Sequence, residues 1–318
     1  MTSTFTGRAG GIAVSAAGAG RFTMNGFPSS TTAGATGSLT VTAFDAFGNI
    51  AAGCAGTVHF TSSDAQAGLP GDYTFTGSDQ GAHVFSATLK TAGTQSLTVT
   101  DPANSSLTAT QTGITVVAAS MSGFLVSGFP ATTAGVAQSF KVTAVDAYGN
   151  LVTSYTGAVH FTSSDAKAGL PGNYTFAAND KGVHVFSATL KTAGTQSLTV
   201  TDTVSATITG SETGISVSPG AATTLTISAP ATASVGAPIS ITVTARDAYG
   251  NIATGYLGTI HFTSSDNTAL LPANYTFVAG DAGVHVFGVT FKKSGTQNIT
   301  ATDTKTGSIK GSDSVKVQ

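Results

Sequence analysis

The pentapeptide Asp146-Ala147-Tyr148-Gly149-Asn150 decides how this chain folds. It stands 101 residues earlier as Asp45-Ala46-Phe47-Gly48-Asn49 and 101 residues later as Asp247-Ala248-Tyr249-Gly250-Asn251. Other motifs keep the same register. Val58-His59-Phe60-Thr61-Ser62-Ser63-Asp64 recurs from Val159 and from Ile260, Tyr73-Thr74-Phe75 from Tyr174 and Tyr275, His83-Val84-Phe85 from His184 and His285, and Gly93-Thr94-Gln95 from Gly194 and Gly295. A fixed internal period sets the architecture before any local reading, and a period of about 100 residues is a whole small domain rather than one solenoid turn. The chain is a tandem array.

Within each period the apolar residues alternate. Phe140, Val142 and Ala144 share one face of a run whose other face carries Lys141 and Thr143, and Leu39, Val41, Ala43 and Ile241, Val243, Ala245 match them. Phe186, Ala188 and Leu190 alternate in the same way, as do Leu198 and Val200. A period of two marks strands wetted on one side, and the Thr and Val that fill these runs favour a pleated backbone. Turn signals such as Tyr148-Gly149-Asn150 and Leu170-Pro171-Gly172-Asn173 separate the runs about every ten residues. No segment carries an apolar helical period. Roughly seven short antiparallel strands per period predict an all-β chain of three tandem immunoglobulin-like β-sandwich domains. With no tryptophan and one cysteine, the core must rest on Phe, Tyr, Leu and Val.

The expected boundaries are 18–117, 118–218 and 219–318. Residues 1–17 form a further segment, in which Gly11-Ile12-Ala13-Val14 parallels Gly113-Ile114-Thr115-Val116, so the segment is expected to be the orphan last strand of a preceding repeat. Links such as Val117-Ala118-Ala119-Ser120 are short, which predicts an extended rod of roughly 110–130 Å by strand-length arithmetic.

Only 9% of the residues are charged and the net charge is −2, which leaves no basic footprint for nucleic acid or anionic membrane. No run reaches the length of a membrane span. Cys54 is matched by Tyr155 and Tyr256 in the later repeats, which predicts an inert thiol in a loop site.

Candidate chemistry is limited. His59, Ser62 and Asp64 are triad residue types, but side chains on one extended segment diverge where a triad must converge. No catalytic or cofactor-binding residue is expected, and the chain is expected not to be an enzyme. Two histidines per repeat, His59 on an outer face and His83 at the core edge, lack the further ligands a zinc site needs. Asp64, Asp72 and Asp79, then Asp165, Asn173 and Asp180, then Asp266, Asn274 and Asp281 recur as loop oxygens. Turn formation accounts for them, with calcium the alternative. Asp45, Asp146 and Asp247 are expected to cap turns whose glycine takes positive φ. Asn104, Asn173, Asn274 and Asn298 fit the glycan acceptor pattern.

Taken whole, the run from Val-Thr-Ala-x-Asp-Ala-Tyr-Gly-Asn through His-Phe-Thr-Ser-Ser-Asp, Gly-Val-His-Val-Phe and Leu-Lys-Thr-Ala-Gly-Thr-Gln resembles the tandem immunoglobulin-like repeats of large bacterial surface and secreted proteins of adhesin type. More distantly it is similar to invasin-type and filamin-type repeats. The resemblance spans nearly all of residues 18–318. It implies a non-enzymatic, extracellular or cell-surface stalk or adhesin segment whose partners are neighbouring repeats of a longer array. Two other readings stay open. One is a module that binds surface polysaccharide or protein through Tyr148, Tyr155, Tyr249 and Tyr256. The other is a fibre subunit that self-associates through exposed sheet edges.

Overall fold

The structure, a computed structural model, describes residues 13–318. In the first repeat the strands are β1 (Arg21–Asn25), β2 (Ser30–Thr32), β3 (Thr36–Phe44), β4 (Thr57–Ser62), β5 (Tyr73–Thr74), β6 (Ala82–Thr88), β7 (Gly93–Asp101) and β8 (Asn104–Val117). They form a three-stranded sheet in the order β1-β3-β6 and a five-stranded sheet in the order β2-β8-β7-β4-β5. All pairings are antiparallel except β2 on β8. Two facing antiparallel sheets, with the first strand divided between them, make an immunoglobulin-like sandwich. The same series runs again from Met121–Ser127 to Thr209–Ser218 and from Thr224–Ser228 to Lys310–Val317. Among the described residues the only helical pieces are three-residue 3₁₀ turns.

Each repeat has eight strands where the sequence predicts about seven. The extra one arises because the leading strand is cut in two. Pro28 has no N–H to give a ladder, and the Gly26-Phe27-Pro28 step carries the chain from the edge of one sheet to the edge of the other. In the third repeat Ala229-Pro230 replaces Phe-Pro, and the strand Thr224–Ser228 still pairs with Pro238–Arg246.

The predicted inward faces are buried. Leu39, Val41, Ala43, Phe85, Ala87, Leu97 and Val99 lie in the core of the first repeat, together with Phe22, Phe60, Phe75 and Ile114. One contact does the work of the missing tryptophan and disulfide: Phe60 on β4 meets Phe85 on the opposite sheet with ring centroids 4.8 Å apart. Phe161 with Phe186 and Phe262 with Phe287 repeat it at 4.7 and 4.8 Å. Such pairs add to the burial of their apolar area.

The chain divides into two compact units, Met1–Gly123 with Ala144–Tyr155, and Phe124–Thr143 with Thr156–Gln318. The second copy of the pentapeptide therefore groups with the first repeat. Most of the segment 1–17 lies outside the described residues, and residues 13–17 carry no strand.

Candidate functional site

The pentapeptide is first a self-contained turn. The Asp146 carboxylate accepts the N–H of Tyr148 at 2.9 Å and of Asn150 at 2.8 Å on one oxygen. Its other oxygen takes the Asn150 side-chain amide at 2.8 Å and the N–H of Ala119, in the link from the preceding repeat, at 2.8 Å. Burial works against this charge, but the Asn150 side chain and the N–H groups of Ala119, Asn150 and Tyr148 outweigh it and hold the carboxyl below its ordinary value. Gly48, Gly149 and Gly250 take the expected positive φ, at 86°, 83° and 85°.

The same turn is also half of a junction. The Asn150 amide nitrogen donates to the carbonyl of Lys90 at 2.7 Å, and its oxygen accepts the N–H of Ala92 at 2.8 Å. One buried side chain thus completes two backbone groups of the neighbouring repeat. Beside it the Tyr148 ring lies on Gly34, so close that a Cβ at Gly34 would stand 2.1 Å from the tyrosine oxygen. The Lys90 ammonium stands 6.0 Å from the centre of that ring.

The receiving loop is held from behind by Asp64. This buried carboxylate accepts the N–H of Lys90 at 2.6 Å, the N–H of Thr91 at 2.9 Å and the Thr91 hydroxyl at 2.5 Å, with the N–H of Gln66 at 2.9 Å. Burial opposes its charge, and bonds from the Thr91 side chain and then the backbone of Thr91, Lys90 and Gln66 bring it below the ordinary carboxylate range. Asp64 from one side and Asn150 from the other fix the three-residue loop Lys90–Ala92.

The next junction repeats these contacts. Asn251 donates to the Lys191 carbonyl at 2.7 Å and accepts from Ala193 at 2.9 Å. Asp247 accepts the link N–H of Gly220 at 2.9 Å, Tyr249 lies on Gly135, and Asp165 holds the N–H groups of Lys191 and Thr192 at 2.5 and 2.9 Å. The Lys167 ammonium also donates to the Tyr249 carbonyl.

The other expected residues fall elsewhere. His59 is exposed and pairs with Asp72 at 2.6 Å, while Ser62 donates to the Ser96 carbonyl at 2.7 Å, so the three triad residue types do not converge. His83 sits at the core edge, stacked on Tyr73 with centroids 4.0 Å apart and bonded to Asp79 at 2.7 Å. Asp79 also accepts the Tyr73 hydroxyl at 2.9 Å and the Thr76 N–H at 2.6 Å. The calcium alternative does not fit this donor set: Asp64 and Asp165 face N–H and hydroxyl donors, and Asp79 faces a histidine, a phenol and an amide. Among the described residues no three His, Cys, Asp or Glu side chains group to hold a metal ion.

The tyrosine reading needs correction. Tyr256 is buried, with its hydroxyl donating to Asp303 at 2.6 Å, and it is spent inside the sandwich. Tyr148 and Tyr249 are half-buried in the junctions, and Tyr155 is half-buried too. Cys54, in the place of Tyr256, lies in the loop between β3 and β4 as expected, with its thiol buried in the core; Gly56 beside it leaves Asp101 close, just as Gly258 lies against Asp303. Sequence reasoning assigned the junction residues to turns alone. The signal it passed over is Asn150 itself, since the turn uses one hydrogen of its side-chain amide and leaves the other hydrogen and the amide oxygen for another partner.

No family model matches the chain, and no curated protein matches it. Solved structures do. The adhesin FdeC of Escherichia coli is 20% identical, with 94% of this chain and 96% of that one aligned at a TM-score of 0.35. Invasin, a bacterial integrin-binding protein, is 15% identical over 93% of this chain and 60% of its own, also at 0.35. The adhesin InvE of Yersinia pseudotuberculosis is 20% identical over 61% and 58%, at 0.29. At these scores the immunoglobulin-like assignment stands on the sheet order of the chain itself.

Proposed function

We propose that this chain is a structural stalk segment of a bacterial surface protein of adhesin type, with repeats at 18–117, 118–218 and 219–318 held in sequence by the Asn clasp. The observation that carries this reading is the recurrence of one contact set at both junctions: Asn150 on Lys90 and Ala92, and Asn251 on Lys191 and Ala193. A spacer needs each repeat to be placed on the last by groups that repeat with the period. A binding module needs a site that differs from its neighbours. The buried amide supplies the first, because its geometry is met only when both backbone partners are in place.

Low charge and a surface of small polar residues suit a segment that presents no ligand of its own, and the resemblance to bacterial surface repeats supports an extracellular setting. The test is mechanical and thermal. Single-molecule stretching of the chain should show clasped repeats resisting separation, and changing both Asn150 and Asn251 to Ala should free the junctions while each sandwich still unfolds at its own force. Unchanged junction behaviour in that double variant would remove the clasp from the account. Specific capture of a glycan or protein by the unaltered chain would favour a binding module instead.

A further inference from the structure

Each sandwich holds one cluster of donor side chains that the clasp does not use. Tyr73, Asp79 and His83 recur at the same spacing as Tyr174, Asp180 and His184 and as Tyr275, Asp281 and His285. The turn residues beside them change: Thr76, Ser78 and Gln80 give way to Ala177, Asn179 and Lys181, and then to Val278, Gly280 and Ala282. In the first repeat β5 supplies the tyrosine, the 3₁₀ turn Gly77–Asp79 the aspartate and β6 the histidine. Gln80, Lys181 and Ala282 take the left-handed region, with φ of 49°, 48° and 46°, which a residue with a side chain adopts at a cost. In the second repeat the Tyr174 oxygen stands 3.0 Å from Asp180 Oδ2 and 3.0 Å from His184 Nδ1, and that nitrogen stands 3.1 Å from Asp180 Oδ1. Asp79 Oδ1 lies 2.9 Å from the Tyr73 oxygen and 2.7 Å from His83 Nδ1, and Asp281 Oδ1 lies 3.2 and 2.8 Å from the matching atoms of Tyr275 and His285. Three ligand atoms on one face of an octahedron whose bonds are about 2.1 Å lie about 3.0 Å apart.

We propose that each triad is a ferric iron site, in which a tyrosine phenolate, an aspartate carboxylate and a histidine Nδ1 hold three neighbouring positions of the ion and leave the others to water or a small anion. The donor set selects the ion. Two anionic oxygens with a single imidazole make a harder set than the nitrogen and sulfur ligands that favour zinc or copper. Burial, and then the hydrogen bond to the aspartate, push each phenol above its ordinary value, so its proton stays in place until a strongly acidic trivalent cation displaces it. Binding releases that proton to solvent and leaves the neutral imidazole with its proton on Nε2. The carboxylate is already braced, because the N–H groups of Thr76, Ala177 and Val278 donate to Oδ2 of Asp79, Asp180 and Asp281 at 2.6, 2.7 and 2.8 Å, and such outer hydrogen bonds orient a ligand. The histidines are only half-buried, so an ion reaches the triad without opening the core. Packing alone does not ask for the phenol oxygen, since phenylalanine fills the same ring volume. The sites are separate from the junctions, and their failure would leave the stalk reading standing.

Titration of the full chain with ferric nitrilotriacetate, followed by visible absorption, tests it. The unaltered chain should develop a phenolate-to-iron charge-transfer band that saturates at three irons per chain. Tyr174→Phe, which keeps the ring and removes the oxygen, should bind two irons and lose a third of the absorbance. The triple variant Tyr73→Phe/Tyr174→Phe/Tyr275→Phe should stay colourless, while Tyr249→Phe, which alters a tyrosine outside the triads, should still bind three. Should Tyr174→Phe melt early without iron, His184→Gln, which keeps a hydrogen-bonding side chain beside Asp180, is read in its place. No band with the unaltered chain, a band that survives the triple variant, or uptake of zinc or copper at the triads in preference to iron overturns the proposal.

Discussion

The turns Asp45–Asn49 and Asp146–Asn150 have the same internal hydrogen bonds within 0.2 Å and opposite surroundings. Asn150 is buried against Lys90 and Ala92, and Asn49 is exposed. Tyr148 lies on Gly34, while Phe47 stands in solvent. The turn therefore does not owe its shape to docking. Local hydrogen bonding builds it, and the junction uses a part that already exists. Substitutions within the turn should then separate into those that unmake it in both settings and those that matter only where it is docked.

Asp146→Ala should have the largest effect. It removes the acceptor of four donors, one of them the link N–H of Ala119, and should cost about 3 kcal/mol, seen as a fall in calorimetric melting temperature. Asp45→Ala should lower stability too, since it unmakes the same turn and frees the N–H of Ala17, but it leaves the contacts of Asn150 with Lys90 and Ala92 in place. Equal loss of the Lys90–Ala92 loop's amide protection in the two variants would show that docking contributes nothing.

Glycine substitutions come next. Gly135 and Gly236 both have positive φ, 89° and 80°, so Ala costs each about 1 kcal/mol of backbone strain. At Gly135 the new methyl group would also meet the Tyr249 ring at 2.3–2.6 Å, adding about 1–3 kcal/mol of overpacking or expelling the ring. Gly135→Ala should therefore melt lower than Gly236→Ala, and equal melting would mean that the ring contact carries no energy.

These two pairs also mark where the sequence stops being legible. Period-two alternation placed Phe186, Leu198 and Val142 inward because burial on a pleated strand follows directly from spacing. The positive φ of Gly149 followed from the turn chemistry of its neighbours. What spacing does not carry is which repeat a side chain touches. Asp64 looked like a local turn former and does cap Gln66, yet it also reaches Lys90 and Thr91 across the loop. Tyr256 looked like an exposed turn aromatic and instead bonds Asp303, on a strand far along the chain. In each case the partner is long-range, and the residue type alone fitted a local role equally well.

Asn150→Ala should show a smaller effect than Asp146→Ala, because the turn's backbone bonds survive while the Lys90 carbonyl, the Ala92 N–H and one oxygen of the Asp146 carboxylate each lose a partner. About 1–2 kcal/mol is expected, whereas Asn49→Ala should stay within about 0.5 kcal/mol. Thermal melting of the two variants side by side decides it. A cost at Asn49 as large as that at Asn150 would assign the amide to the turn alone.

The smallest effect expected is on acid response, and it follows from the Asp146 and Asp247 carboxyls being held below their ordinary 3.8 in the fold. A carboxyl with a depressed folded value adds stability that is complete above its unfolded value and is lost as pH falls through the folded one. Between pH 5 and neutrality the junctions should therefore be insensitive to pH, with loosening confined to the range below about pH 4. Asp45 is also held low, with the Asn49 side chain the largest cause and burial opposing it, so overall melting will fall in acid from several carboxylates at once. The junction's share is isolated by following amide exchange at Ala92, whose N–H is held by Asn150, in the unaltered chain and in Asp146→Asn. The amide variant keeps the shape of the side chain but does not titrate. Ala92 should lose protection more steeply with falling pH in the unaltered chain than in the variant. Parallel acid profiles would mean that the Asp146 charge does not support the docked turn, and that its resemblance to the free turn at Asp45 extends to the junction itself.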